Sequence, residues 1–158
     1  MTKVLVSFFS ASGVTAKLAE DLAKAIGADV FEIEPEEKYT DADLDWRDKT
    51  SRSSVEMSDR SSRPAIKTSV EDISKYDTIF VGFPIWWYRE PSIIDTFLEA
   101  YDLSGKTLIP FATSGSSGLG ESSDNFKALA PSAVIKDGKR FPSNASEADL
   151  KAWAELFI

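Results

Sequence analysis

The 158-residue sequence contains no cysteine and no histidine. The first absence excludes disulfides, thiolate nucleophiles and thiolate metal ligands. The second excludes a Ser-His-Asp relay, and together they remove the usual ligands of zinc. No apolar run approaches the roughly 18 residues that read as a membrane span. Positive charge is in deficit: 18 Lys and Arg against 26 Asp and Glu give a formal net charge of −8. Such a surface repels nucleic acid phosphates and anionic membranes, and suits solubility or a cationic partner. No metal and no protein-borne catalytic group is expected, so any redox chemistry falls to an imported cofactor.

What is present reads as one globular domain over residues 1–158, with 42% hydrophobic and 28% charged residues. The opening MTKVLVSFFS has a short apolar run that ends in a Ser/Gly loop without a small-residue cleavage site. It is expected to be a buried strand and not a secretion signal, with the cytoplasm as the location.

Residues 3–9 form an apolar, β-branched run consistent with a strand buried on both faces. In 16–26, Leu18, Leu22, Ala25 and Ile26 fall at helical spacing before a Gly27 cap. A second strand is expected at 29–33, completing a βαβ unit. The polar stretch from Pro35 to about Lys67 is the least regular, with helical character expected around 41–49 and 53–58. A helical turn is expected at 70–73, strands at 78–82, 107–112 and 133–135, and helices at 92–101, 122–130 and 146–157. Ser146 is the expected cap of the last helix, and KDGKRF reads as a turn with Asp-Gly at its tip. Apolar strands alternating with amphipathic helices imply an α/β fold: a three-layer, doubly wound parallel sheet. Ligands in such sheets lie beyond the carboxyl ends of the strands.

Three unusual loops share that edge. The first, Ser10-Ala11-Ser12-Gly13-Val14-Thr15, joins a strand to a helix N-terminus, where unpaired N–H groups and the helix dipole favour an anion. It lacks the Gly-Lys-Ser/Thr of a nucleotide P-loop, so a phosphate monoester held by hydroxyls and amides fits better; helix capping by Ser12 is the plainer alternative. The second, Pro84-Ile85-Trp86-Trp87-Tyr88-Arg89-Glu90-Pro91, carries three consecutive aromatics whose side chains must diverge, which leaves a ring free to stack on a planar heterocycle. The third, Thr113-Ser114-Gly115-Ser116-Ser117-Gly118-Leu119-Gly120, can wrap a polar ring edge with backbone groups, or serve as an exposed linker.

These residues carry a family likeness. SASGVT resembles the Thr/Ser-x-Ser/Thr-Gly-x-Thr phosphate signature of flavodoxins. Pro84-Ile85-Trp86 resembles the loop whose aromatic stacks on the isoalloxazine ring, and TSGSSG sits where the second ring loop lies. GFPIWW and SRSSVEM are similar to a bacterial flavodoxin-like oxidoreductase subfamily. The resemblance covers nearly the whole chain and implies a five-stranded sheet of order 2-1-3-4-5 that binds flavin mononucleotide (FMN). It implies that Ser10, Ala11, Ser12, Gly13, Val14 and Thr15 form the phosphate loop and that Trp86 stacks on the inner ring face. Pro84, Ile85, Trp87 and Tyr88 then border the ring, and Thr113, Ser114, Gly115, Ser116 and Gly118 meet its pyrimidine edge. The third loop has no aromatic, so the outer ring face is open or covered from elsewhere; Trp46 is a candidate lid, and local packing of Trp46 is the alternative. Two redox roles follow: an FMN-dependent oxidoreductase taking electrons from NAD(P)H to a quinone-like or other small acceptor, or an electron carrier docking protein partners. A non-redox phosphate-ligand module is the third reading. The segment 39–63 is a candidate homodimer contact.

Overall fold

The computed structural model describes residues 3–11, 13–86, 89–113, 119–142 and 144–158. Strands β1 (Val4–Phe8), β2 (Asp29–Glu32), β3 (Thr78–Pro84), β4 (Thr107–Thr113) and β5 (Val134–Ile135) run parallel in the order β2-β1-β3-β4-β5, with β6 (Lys139–Phe141) also parallel to β4. Helices are α1 (Val14–Ile26), α2 (Arg52–Ser58), α3 (Ser92–Glu99), α4 (Ser122–Leu129) and α5 (Glu147–Ala154).

The two-residue period of the strands divides the core. Val6, Phe8, Phe80, Ile109, Phe111 and Phe141 face one side and pack under α1 and α5, against Leu18, Leu22, Leu150 and Trp153. Leu5, Ile79, Val81, Phe83, Leu108 and Ala112 face the other and pack under α3 and α4, against Ile93, Ile94, Phe97 and Phe126. In α1 the buried positions are Thr15, Leu18, Ala19, Leu22 and Ala23, one stripe of a 3.6-residue helix that ends at Gly27 in the left-handed region (φ 67°). Ser7, fully buried in β1, donates its hydroxyl to Phe80 O at 2.9 Å.

Four expectations are corrected. KDGKRF is not a hairpin turn: Lys139–Phe141 continues the fifth strand, which is split in two along β4. The cause is Pro110. Leu108 O accepts from Lys136 N at 3.0 Å, so residue 110, two further on, also points towards the fifth strand, where it has no N–H to offer. Residues 41–49 are turns and not a helix. Thr40 and Asp43 bond each other's backbone N–H, and Asp45 and Asp48 accept from Arg47 N and Thr50 N, so side chains capture the donors a helix would need. The short helical turn falls at Ile73–Lys75, where Asp72 supplies the cap. The last helix ends at Ala154, short of 157, though Ser146 does cap it, accepting from Asp149 N at 3.1 Å.

The polar stretch after β2 closes on itself. Pro35 bridges Ile66, Glu36 N donates to Ala65 O at 2.9 Å and Lys67 N to Glu34 O at 2.8 Å. Between those ends lies α2, capped by Ser51. No helix among the described residues is long and apolar enough to cross a membrane.

Candidate functional site

Parallel strands put the ends of β1, β3 and β4 at one edge, and direct contacts join their loops. Thr15 Oγ1, in the first turn of α1, lies 2.8 Å from Thr113 Oγ1 at the end of β4, and both residues are buried. Pro84 and Thr113 are register partners, and Ile85 N donates to Thr113 O at 3.4 Å. Phe9 N donates to Gly82 O at 2.9 Å, and the Phe9 ring meets Trp86 edge-on with centroids 5.6 Å apart. The described residues at the ends of the three sequence loops therefore converge.

In the first loop Gly13 takes φ 93°, a conformation that an L side chain rarely adopts. Gly13 N donates to Ser10 Oγ at 3.0 Å. Among the described residues no side chain caps α1, whose first intrahelical bond runs from Lys17 N to Gly13 O at 3.1 Å. The amides of Val14, Thr15 and Ala16 precede that bond, and the positive end of the helix dipole lies with them. Val14 is exposed, Ser10 and Ala11 are half-buried, and Ala11 packs on the core. A hydroxyl beside amides that have no partner among the described residues, with no cation in the loop, is a donor set that fits a phosphate monoester.

In the second loop Trp86 N donates to Arg89 O at 3.0 Å and Arg89 N to Trp86 O at 3.2 Å, closing a tight turn. Trp86 is half-buried and edge-on to Phe9 and to Tyr39, 5.5 Å away, and these two rings touch each other at 5.7 Å, so the three form one cluster. Tyr39 is itself clamped: its hydroxyl donates to Glu56 Oε1, and the Arg52 guanidinium lies 3.9 Å over its ring while Arg52 Nε holds Glu56 Oε2 at 3.1 Å. Burial, and then the Glu56 acceptor, raise the Tyr39 hydroxyl above its ordinary pKa, so it stays a neutral donor. Tyr39 is thus the residue of the polar excursion that reaches the site. Trp46 is 68% exposed with Arg47 over its ring at 5.2 Å.

Behind the turn lies a buried polar cluster that sequence reasoning did not find. Arg89 donates to Met57 O (3.1 Å) and Glu90 O (3.2 Å) and faces Asp95 Oδ2 (3.5 Å). Ser92 Oγ donates to Glu56 O at 3.2 Å, tying α3 to α2. Asn125 Nδ2 donates to both Glu90 oxygens, at 2.8 and 3.1 Å. Burial and then the Asp95 charge push the Glu90 carboxyl up to about 8, and burial raises Asp95 as well. The sequence signal was an Arg-Glu pair directly after three aromatics and before a proline.

Of the sequence-derived site residues, Ser10, Ala11, Gly13, Val14, Thr15, Pro84, Ile85, Trp86 and Thr113 are brought together at this edge. Ser12, Trp87, Tyr88, Ser114, Gly115, Ser116 and Gly118 lie outside the described residues. Among the described residues no group of three or more carboxylates could hold a metal ion.

Fold and site define a doubly wound α/β protein with a candidate binding edge at the carboxyl ends of β1, β3 and β4. The family model described as Flavodoxin matches residues 3–157, and the chain belongs to that family. A candidate flavoprotein from Bacteroides eggerthii superposes with a TM-score of 0.93 at 47% identity, over 99% of this chain and 98% of that one. A candidate flavoprotein from Bacteroides uniformis gives 0.92 at 47% identity, over 98% of each chain. A Lactobacillus acidophilus flavoprotein solved in complex with FMN shares the fold at 22% identity and a TM-score of 0.76, covering 98% of this chain and 99% of that one. No curated protein matches the chain.

Proposed function

We propose that this chain binds FMN without a covalent link and acts as an FMN-dependent oxidoreductase, taking electrons from NAD(P)H to a quinone-like or other small acceptor. The observation that carries the reading is the junction of three loops at one edge, through Thr15–Thr113, Ile85–Thr113 and Phe9–Trp86. Family membership and the FMN complex of the Lactobacillus acidophilus protein support the choice of cofactor.

The chain's own residues supply binding and orientation. The open amides at the start of α1 and the Ser10 hydroxyl hold the phosphate. Trp86, held against Phe9 and Tyr39, would offer its ring to one face of the flavin and exclude water there. When bound, FMN would supply the hydride- and electron-transfer chemistry, and the protein would supply binding and orientation. A net charge of −8 favours a second reading, an electron carrier that docks a cationic protein partner.

Purified protein, or protein mixed with FMN, should show the flavin absorption bands and quench FMN fluorescence. Under anaerobic conditions, NADH or NADPH alone should then bleach the bands. Flavin binding without bleaching favours the carrier; no uptake of added FMN rules out both.

A further inference from the structure

The polar excursion after β2 meets the aromatic turn at one dipeptide, Glu56-Met57, near the end of α2. Its backbone holds the turn. Arg89, whose main chain closes the turn on Trp86, donates from its guanidinium to Met57 O at 3.1 Å, and Ser92 donates to Glu56 O at 3.2 Å. The Glu56 side chain holds a ring instead. Its Oε1 accepts from the Tyr39 hydroxyl and its Oε2 from Arg52 Nε at 3.1 Å. Arg52 lies over the Tyr39 ring and donates from Nη1 to Glu37 O at 2.7 Å, so ring, carboxylate and the start of the excursion form one closed set. Tyr39 in turn meets Trp86 with centroids 5.5 Å apart and 76° between the ring planes.

The two ring neighbours of Trp86 are held differently. Phe9 is 1% exposed and belongs to the core under α3 and α4. Tyr39 is half-buried on a segment outside the sheet, and Glu56 holds its hydroxyl. A hydrogen bond to a carboxylate is strong and directional, so it fixes the tilt of a ring that packing encloses only in part.

We propose that Tyr39 and Glu56 are positioning residues of the FMN site: the Glu56 carboxylate sets the Tyr39 ring, and that ring sets the orientation in which Trp86 meets the flavin. The proposal rests on the FMN reading. The segment 35–67, the least regular of the sequence, thereby becomes a flank of the site. Neither residue acts on the cofactor itself, so their effect on FMN passes through Trp86.

The test is FMN affinity, by fluorescence quenching, of the native chain, Tyr39→Phe, Glu56→Gln and the double variant, each made also in the Trp86→Ala background. Tyr39→Phe keeps the ring and loses only the hydroxyl. Glu56→Gln keeps one acceptor oxygen and sets an amide N–H against the second donor. Each single variant should raise Kd by about three- to tenfold. The double variant should lose about as much as Glu56→Gln alone, because both changes break the same bond. In the Trp86→Ala background the same substitutions should leave Kd unchanged. Losses that persist in full without Trp86, or native affinity in both single variants, would overturn the assignment while leaving FMN binding intact. If the native chain takes up no FMN, the functional reading fails and this one with it. Should Glu56→Gln not fold, Tyr39→Phe with and without Trp86 decides alone; should Trp86→Ala not fold, Trp86→Leu takes its place with the same expected outcomes.

Discussion

Thr15 and Thr113 are 98 residues apart in the chain, yet their hydroxyl oxygens meet at 2.8 Å in a buried position. One hydroxyl sits in the first turn of α1 and the other at the end of β4, so this single bond fixes the start of α1 relative to the end of β4. Removing one partner strands the other. Thr113→Val should therefore lower unfolding free energy by about 1–3 kcal/mol, the cost of an unpaired buried hydroxyl. The double variant Thr15→Val/Thr113→Val should lose less than the sum of the two single losses, because no hydroxyl is left unpaired. Urea unfolding of the four proteins checks this; strict additivity would mean that the two hydroxyls do not interact.

Trp86 separates stacking from core packing. It is half-buried, with edges against Phe9 and Tyr39. If its free surface covers the flavin, Trp86→Ala should weaken FMN binding by roughly thirtyfold, about 2 kcal/mol of lost aromatic contact. Trp86→Phe should recover much of that. The check is FMN affinity measured beside the urea midpoint: a loss of stability at unchanged affinity would show that Trp86 only packs the flank.

Much of this was readable from residue patterns. Apolar runs and stripes at period 3.6 placed five strands and the main helices, and parallel winding then put three peculiar loops at one edge. The failures have local physical causes. The 41–49 stretch is rich in Asp and Thr, whose side chains bond the backbone and outcompete a helix. The fifth strand breaks because Pro110, in its neighbour β4, lacks a donor, a consequence visible only once the two strands are known to be adjacent. Tyr39 and the Glu90 cluster depend on contacts between segments 32 to 47 positions apart, such as those of Arg89 with Met57, Glu90 with Asn125, and Tyr39 with Trp86, which no periodicity announces.

Two glycines should respond to alanine for different reasons. At Gly13 nothing lies within 4 Å of an added Cβ, but φ is +93°. Gly13→Ala should cost about 1 kcal/mol of backbone strain and, by shifting the amides at the start of α1, weaken FMN binding as well. At Gly138 an added Cβ would stand 2.0 Å from Pro110 O and 2.6 Å from Leu119 Cδ1. Gly138→Ala should therefore push the split fifth strand off β4 and cost more, about 1–3 kcal/mol. Equal losses of urea midpoint in the two variants would argue against this division between backbone and space.

The buried Glu90 carboxyl also makes a prediction about stability that needs no ligand. Its ordinary value is 4.5 and its value in the folded chain is about 8, raised by burial and by Asp95. Between those values the folded state keeps the proton and the unfolded state does not, so the folded state binds more protons. Stability must then fall as pH rises across that window and level off above about 8. Asp95, also raised by burial, acts in the same sense. Glu90→Gln holds its neutral form in both states and should flatten the decline between pH 5 and 8, so that it is less stable than, or equal to, the native chain at the acid end and more stable at pH 9. Urea midpoints of both proteins at pH 5, 7 and 9 test this, and parallel curves would place the titrating group elsewhere.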